Sequence, residues 1–167
     1  MTLRAAVPQD WERLRDVRLA ALRDAPDAFA STLEATRGQP QWRWEGWATG
    51  DGWGAELVTF VLEPVPGEPF TGMATGAIFG DDPSTVHLFA MWVAPSARGA
   101  GLGRALVEAV VAWAEARGAA HVVLRISEGN AAARRLYGSA GFVLDADDRE
   151  PLREGSAVVT LGMRRAL

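Results

Sequence analysis

The chain reads as a mixed α+β fold, and three features of its 167 residues predict this. Three strand-like apolar runs follow one another between residues 55 and 93 through short turns, the pattern of an antiparallel meander. A strand, an amphipathic helix and a second strand then occupy Thr85 to Ile126, which specifies a right-handed crossover joining parallel neighbours. Helical periodicity recurs before and after this segment, with no internal repeat and no interdomain linker, so residues 1–167 are expected to form one domain.

Thr2–Val7 predicts a short first strand, and Pro8-Gln9-Asp10 a helix start. Trp11, Leu14, Val17 and Ala21 recur at helical spacing until Asp24-Ala25-Pro26-Asp27 breaks the pattern. The arginines of this helix (Arg13, Arg15, Arg18, Arg23) alternate with acids and read as a solvated face. A further helical region carries Pro40, Trp42, Trp44 and Trp47 and closes at Gly50-Asp51-Gly52. Ala55–Leu62, Phe70–Phe79 and Thr85–Val93 are the strands of the meander, separated by the proline-rich Pro64–Pro69 and by Gly80-Asp81-Asp82-Pro83. Leu102, Ala105, Leu106, Ala109, Val110 and Trp113 define one apolar helical stripe that ends near Arg117-Gly118. His121–Ile126 is a buried type of strand, and Asn130 to Ala140 a helix with Ala133, Leu136, Tyr137 and Ala140 on one stripe. Gly141–Leu144 and Ala157–Met163 are the last strands, with the charged segment Asp145–Gly155 expected between them as a loop.

Apolar residues make up 49% of the chain and charged residues 23%, the balance of a globular domain. A net charge of −4 argues against nucleic acid as main partner and suits a cationic or amine ligand. Without cysteine there is no disulfide, thiolate nucleophile or cysteine-based metal site, and two histidines in separate contexts predict no zinc centre. The amino terminus has no apolar signal core, and no stretch approaches the roughly 20 apolar residues of a bilayer span. A cytoplasmic protein is expected.

The run Arg98-Gly99-Ala100-Gly101-Leu102-Gly103-Arg104 follows the strand end Met91-Trp92-Val93 through Ala94-Pro95 and opens a helix. Unshielded backbone N–H groups at a helix start, flanked by arginines, make a site for phosphate or pyrophosphate. Arg98, Arg104, Arg134 and Arg135 are the local positive charge available to hold an anion. The chain contains no lysine, so this is not a Walker A loop, and glycines two apart do not make a dinucleotide motif. A second segment, Asn130-x-x-Ala133-x-x-Leu136-Tyr137-x-x-x-Gly141-Phe142, lies just after the strand that follows the loop helix.

These two segments, in this order and context, resemble the acyl-CoA motifs of the GNAT superfamily of N-acyltransferases, most clearly from Thr85 to Leu144. The resemblance implies a mostly antiparallel mixed sheet of about six or seven strands, flanked by about four helices, with a bulge in the strand before the glycine turn and a splay at the one parallel pair. It implies acetyl-CoA as cosubstrate, no metal, and direct acetyl transfer to a primary amine of a small molecule, peptide or protein in a ternary complex. A non-catalytic acyl-CoA-binding domain of the same fold is the alternative. The pyrophosphate is expected on the Arg98–Arg104 turn, and the pantetheine arm along the backbone of Met91, Trp92 and Val93. The Met91 N–H is assigned to the thioester oxyanion and Tyr137 to protonation of the departing thiolate. Asn130, an N-cap by type, and Ala133 are implied as CoA contacts.

Strand alternation would put His87, Phe89 and Met91 on one face, making His87 a candidate general base, with Glu34, Glu45 and Glu56 in reserve. By residue type alone, Tyr137 reads equally as a packed core residue and His87 as a strand-end residue meeting solvent. His121 reads as structural. The tryptophans and Phe29 are either packing or acceptor-pocket walls, and Asp147, Asp148, Glu150 and Glu154 form an acidic segment open to a cationic substrate. A homodimer through an edge strand or the carboxy-terminal strand is compatible with the pattern.

Overall fold

Runs of valine, leucine and threonine make the middle of the chain a sheet, and the glycines and prolines between them set its turns. The computed structural model describes residues 1–51 and 53–167; Gly52, one of the three residues expected to close the tryptophan-rich helix, lies outside them. Strands β1 (Thr2–Ala5), β2 (Ala55–Glu63), β3 (Gly72–Phe79), β4 (Thr85–Val93), β5 (His121–Ser127), β6 (Val143–Pro151) and β7 (Val159–Ala166) form one sheet in the order β1-β2-β3-β4-β5-β7-β6. All neighbours are antiparallel except β4 and β5. The mixed α+β class and the parallel pair are as the sequence predicts.

Helices α1 (Trp11–Asp24), α2 (Leu33–Arg37) and α3 (Gln41–Thr49) cover one face of the sheet. Their core centres on Leu14, Val17, Ala21, Trp44, Val61 and Met73. Helices α4 (Leu102–Ala116) and α5 (Ala131–Ser139) cover the other, over Val86, Leu88, Val107, Val110 and Val122. Local chemistry sets the ends: Thr32 caps α2 through Ala35 N–H at 3.2 Å, Gly50 ends α3 at φ 83°, and Asn130 caps α5 through Ala133 N–H at 3.0 Å.

Three expectations are overturned. Asp145 to Pro151 is strand β6 rather than loop. As an edge strand whose residues mostly meet solvent, it needs no apolar alternation, which hid it in the sequence. Second, the arginines of α1 are not one solvated face. Arg13 binds Asp10 and Glu63, joined by Arg4 in a four-membered network, and Arg18 is buried with 4% exposure. Donors from Arg4, Arg13 and Gly67 N–H hold the Glu63 carboxyl at about 2.

The third correction is on β4. Met73 pairs with Trp92 but Thr75 with Phe89, so β4 carries one extra residue, a bulge at Ala90 with φ 53°. The bulge reverses alternation: His87 and Phe89 share the α1 side with Ala90 and Trp92, whereas Met91 and Val93 pack on the α4 side with Val86 and Leu88. His87 and Met91 therefore do not share a face. Strand β7 lies between β5 and β6, so the carboxy-terminal strand offers no free edge to a second copy.

Candidate active site

The bulge and the crossover together open the sheet. Pairing between β4 and β5 runs only from Thr85↔His121 to His87↔Val123; beyond it the two strands diverge. A cleft of about 880 Å³ occupies the divergence, lined by Phe89, Ala90 and Met91 on one side and Leu124 and Tyr137 on the other. It extends beneath Arg18 and Phe29 and out to Asp148 and Glu150 of β6.

The glycine-rich turn leads from the end of β4 into α4. Gly99 (φ 85°) and Gly101 (φ 75°) take left-handed conformations that an L side chain resists. Gly101 is the N-cap of α4 and supplies no side chain to cap it, so the first-turn N–H groups remain available to an anion. Gly103 has a different task. A Cβ there would lie 3.3 Å from Met91 Cε and 3.4 Å from Leu136 Cδ2, so its hydrogen lets α4 sit close on β4 and α5. Leu102 packs into the same core, while Ala100 is exposed.

Arg98 is committed within the fold. Its Nε donates to the Val93 carbonyl at 2.9 Å and its Nη2 to Asp24, which also accepts from Trp92 Nε1 at 2.9 Å. These donors from Trp92 and Arg98 hold the Asp24 carboxyl below its usual range and tie the end of α1 to the exit of β4. The Trp92 side chain is buried on the α1 side, so only its backbone is open to a ligand. Arg104 lies 3.9 Å from Glu108, and Arg134 and Arg135 are exposed.

Tyr137 stands on α5, 7% exposed, with its ring edge against Phe142 at 5.8 Å. It lines the cleft, and burial pushes its phenol above the ordinary range, so the proton stays on at neutral pH. Asn130 and Ala133 meet through the cap of the same helix. His87 also lines the cleft, toward its Phe79 end, with ring centroids 5.3 Å apart. Partial burial lowers the His87 pKa, while Asp82 opposes this, so the imidazole is neutral at pH 7. Tyr137, His87 and Met91 thus border one cavity, although His87 and Met91 leave β4 on opposite faces.

The reserve acids stand outside the cleft lining: Glu34 is exposed on α2, Glu45 accepts from Gln41 at 2.7 Å, and Glu56 pairs with Arg117 at 2.5 Å. His121 bridges Thr85 and Arg164, both at 2.9 Å, which is a structural placement. Trp44 (1% exposed) and Trp47 (5%) are core, Trp42 is exposed, and Phe29 lines the cleft. Among the described residues no group of three or more His, Cys, Asp or Glu is arranged to hold a metal, and no helix is long and apolar enough to cross a membrane.

Sequence reasoning missed Arg18, Trp53, Arg125 and Asp145 in the cleft. Arg18 had a signal: Leu14, Arg18 and Leu22 follow at i, i+4 and i+8, which puts the guanidinium on the buried stripe. Arg125 binds Asp148 at 2.8 Å. Residues 146–148 fall out of register between Asp145 and Arg149 and lay the Asp148 carboxylate over Gly162, where a Cβ would approach Asp148 Oδ2 to 2.1 Å.

Residues 19–142 match the Acetyltransferase (GNAT) family. Curated relatives include mycothiol acetyltransferases from Acidothermus cellulolyticus (33% identical over 127 residues, 73% of this chain and 38% of that protein) and Amycolatopsis mediterranei (31% over 156 residues, 89% and 48%). The chain spans less than half the length of these relatives. Among solved structures, ribosomal-protein-alanine N-acetyltransferase from Brucella melitensis superposes with a TM-score of 0.73 at 24% identity over 100% of both chains. A Salmonella typhimurium protein solved with its cofactor acetyl-CoA gives 0.76 at 24% identity, covering 100% of this chain and 94% of that one. With the family match extending over the bulged strand, the glycine turn and the Tyr137 helix, the chain belongs to the GNAT acetyltransferase family.

Proposed function

We propose that residues 1–167 act as one unit that binds acetyl-CoA and moves its acetyl group to a primary amine by direct attack in a ternary complex. The observation that carries this reading is the gap between β4 and β5. It leaves β4 backbone from Leu88 to Val93 without a ladder partner on that side; the buried Tyr137 phenol lines the cleft, and the uncapped start of α4 follows the end of β4 in the chain. The shape suits an extended arm that adds to β4 as a strand does, with its phosphates on the Gly99–Gly103 turn.

In this reading the Met91 N–H faces the carbonyl oxygen of the thioester and stabilises the charge that develops there. The amine nitrogen forms a bond to the carbonyl carbon, and the carbon–sulfur bond breaks. Tyr137 gives its proton to the departing sulfur, and the nitrogen loses one to His87. Met91 is four residue steps beyond His87, up to about 13 Å at about 3.3 Å each, so that transfer runs through water. The chain has no cysteine to form a covalent acyl-enzyme as a thioester, which favours direct attack. The acceptor of the mycothiol enzymes is not carried over, because the chain spans less than half of their length.

The test is release of free CoA thiol from acetyl-CoA across an amine panel, together with calorimetric binding of acetyl-CoA. Tyr137→Phe is expected to lower kcat by about 10²- to 10⁴-fold with acetyl-CoA affinity nearly unchanged. His87→Ala should lose activity near neutral pH and regain part of it at higher pH. Binding without release for any amine would favour the acyl-CoA-binding alternative, and absence of binding would refute the proposal.

A further inference from the structure

Among the described residues Arg18 is the most heavily buried arginine, and no carboxylate among them answers it. Its side chain enters the sheet-facing stripe of α1 between Leu14 and Leu22 and reaches the cleft. With 4% exposure, its Nε and Nη1 atoms have no hydrogen-bond partner. Two rings hold the guanidinium in place, Phe29 at 4.5 Å and Trp47 at 5.6 Å from its central carbon. Burial brings its pKa down to about 10, so it still carries its charge at pH 7. A buried cation without a counter-ion is costly, and aromatic faces satisfy none of its N–H donors. Of the other arginines that line this cleft, Arg125 is paired with Asp148 and Arg164 lies against His121 Nδ1 at 2.9 Å.

The opposite wall has the reverse charge. Asp145, Asp148 and Glu150 of β6 line the same cavity, leaving it cationic at α1 and mainly anionic at β6. We infer that the acceptor amine carries an anionic oxyacid group, a carboxylate in the simplest case, which docks on the Arg18 guanidinium in the cleft. This deepens the acetyltransferase reading and rests on it. The substrate class is then a small amino acid-like zwitterion. An arginine fork is suited to a carboxylate, since two parallel N–H donors match its two oxygens.

The experiment compares amino acids with their carboxamides and their decarboxylated amines, using the full chain. Acetyl transfer is followed as CoA thiol release, and binding as the thermal midpoint in the presence of CoA. The expected result is a kcat/KM about 10- to 100-fold higher for the best carboxylate acceptor than for its amide, the range of one charge-assisted contact. In Arg18→Met, which fills the apolar site without charge, that ratio falls toward one. Equal or better transfer to the amides in the wild type overturns the inference, as does an Arg18→Met variant that keeps its preference for carboxylates. If no acceptor is turned over, the acetyltransferase reading fails by itself and the binding arm decides this one. A carboxylate-bearing amine that raises the midpoint of the wild type but not of Arg18→Met supports it. No carboxylate-dependent shift in the wild type refutes it. Arg18→Lys separates geometry from charge, because it keeps the cation but loses the fork and is expected to recover only part of the preference.

Discussion

Gly76 lies at the centre of β3, paired with Val58 and Leu88, directly beneath α4. A Cβ at this position would come within 2.8 Å of Val110 Cγ1, 3.5 Å of Trp113 Cε3 and 3.6 Å of Val86 Cγ1. Val110 and Val86 are fully buried, and a β-branched side chain in a helix has one dominant rotamer, so Val110 cannot swing aside. The helix must lift instead. Overpacking of this kind costs about 1–3 kcal/mol, and the lost chain entropy of glycine returns about 0.4–1 kcal/mol. Gly76→Ala is therefore expected to destabilise by about 1–2 kcal/mol, a midpoint drop of roughly 2–8 °C for a chain of this size. Because α4 carries the glycine turn at its start, the KM for acetyl-CoA should rise with it. Val110→Ala removes the atom that is struck. The double variant should be clearly less destabilised than the two single changes added together, whereas Gly38→Ala, with nothing within 4 Å, should be close to neutral. Urea denaturation of the four variants measures this. A wild-type midpoint for Gly76→Ala, or strict additivity with Val110→Ala, would refute the packing argument.

At the bulge, Ala90→Gly should be within about 1 kcal/mol of wild type, since relief of the left-handed backbone is offset by the lost methyl and the freer unfolded chain. Ala90→Val should cost more than about 2 kcal/mol, because a β-branched residue tolerates φ 53° far less; equal stability of the two variants would argue against the bulge. Glu63 is held near 2 in the folded chain against an ordinary value of 4.5, so its contribution is present above pH 4.5 and is lost as pH falls toward 2. The thermal midpoint of the wild type should accordingly drop more steeply over that window than that of Glu63→Gln, and parallel profiles would exclude the network as the cause.

What could be read from the chain beforehand was what is local in it. The turn at Arg98–Arg104 and the helix opened by Asn130 depend on residues adjacent in sequence, and both stand where their glycines and cap place them. The resemblance implies a bulge in this strand, but its place at Ala90 could not be read, because it is fixed only as a mismatch of register against Met73 and Thr75 in another strand. That one residue moved Met91 to the face opposite His87 and changed what the histidine can reach. Strand β6 escaped notice for a different reason. Alternation is a record of burial, and an edge strand with two wet faces leaves none. Arg18 was legible by spacing and obscured by type, since a charge on an apolar stripe is easily assigned to the surface.

The sheet also places its stickiest backbone unusually. Its outer edges are guarded, β1 by its length of four residues and β6 by Asp145, Asp147, Asp148, Arg149, Glu150 and the terminal Pro151. The unguarded stretch is internal, where β4 parts from β5. A chain with this gap empty carries inside it the kind of template that edge strands normally hide, and a ligand lying in it acts as a plug. Colloidal behaviour should follow occupancy: concentrated ligand-free protein associates through the cleft, and filling the cleft keeps it dispersed.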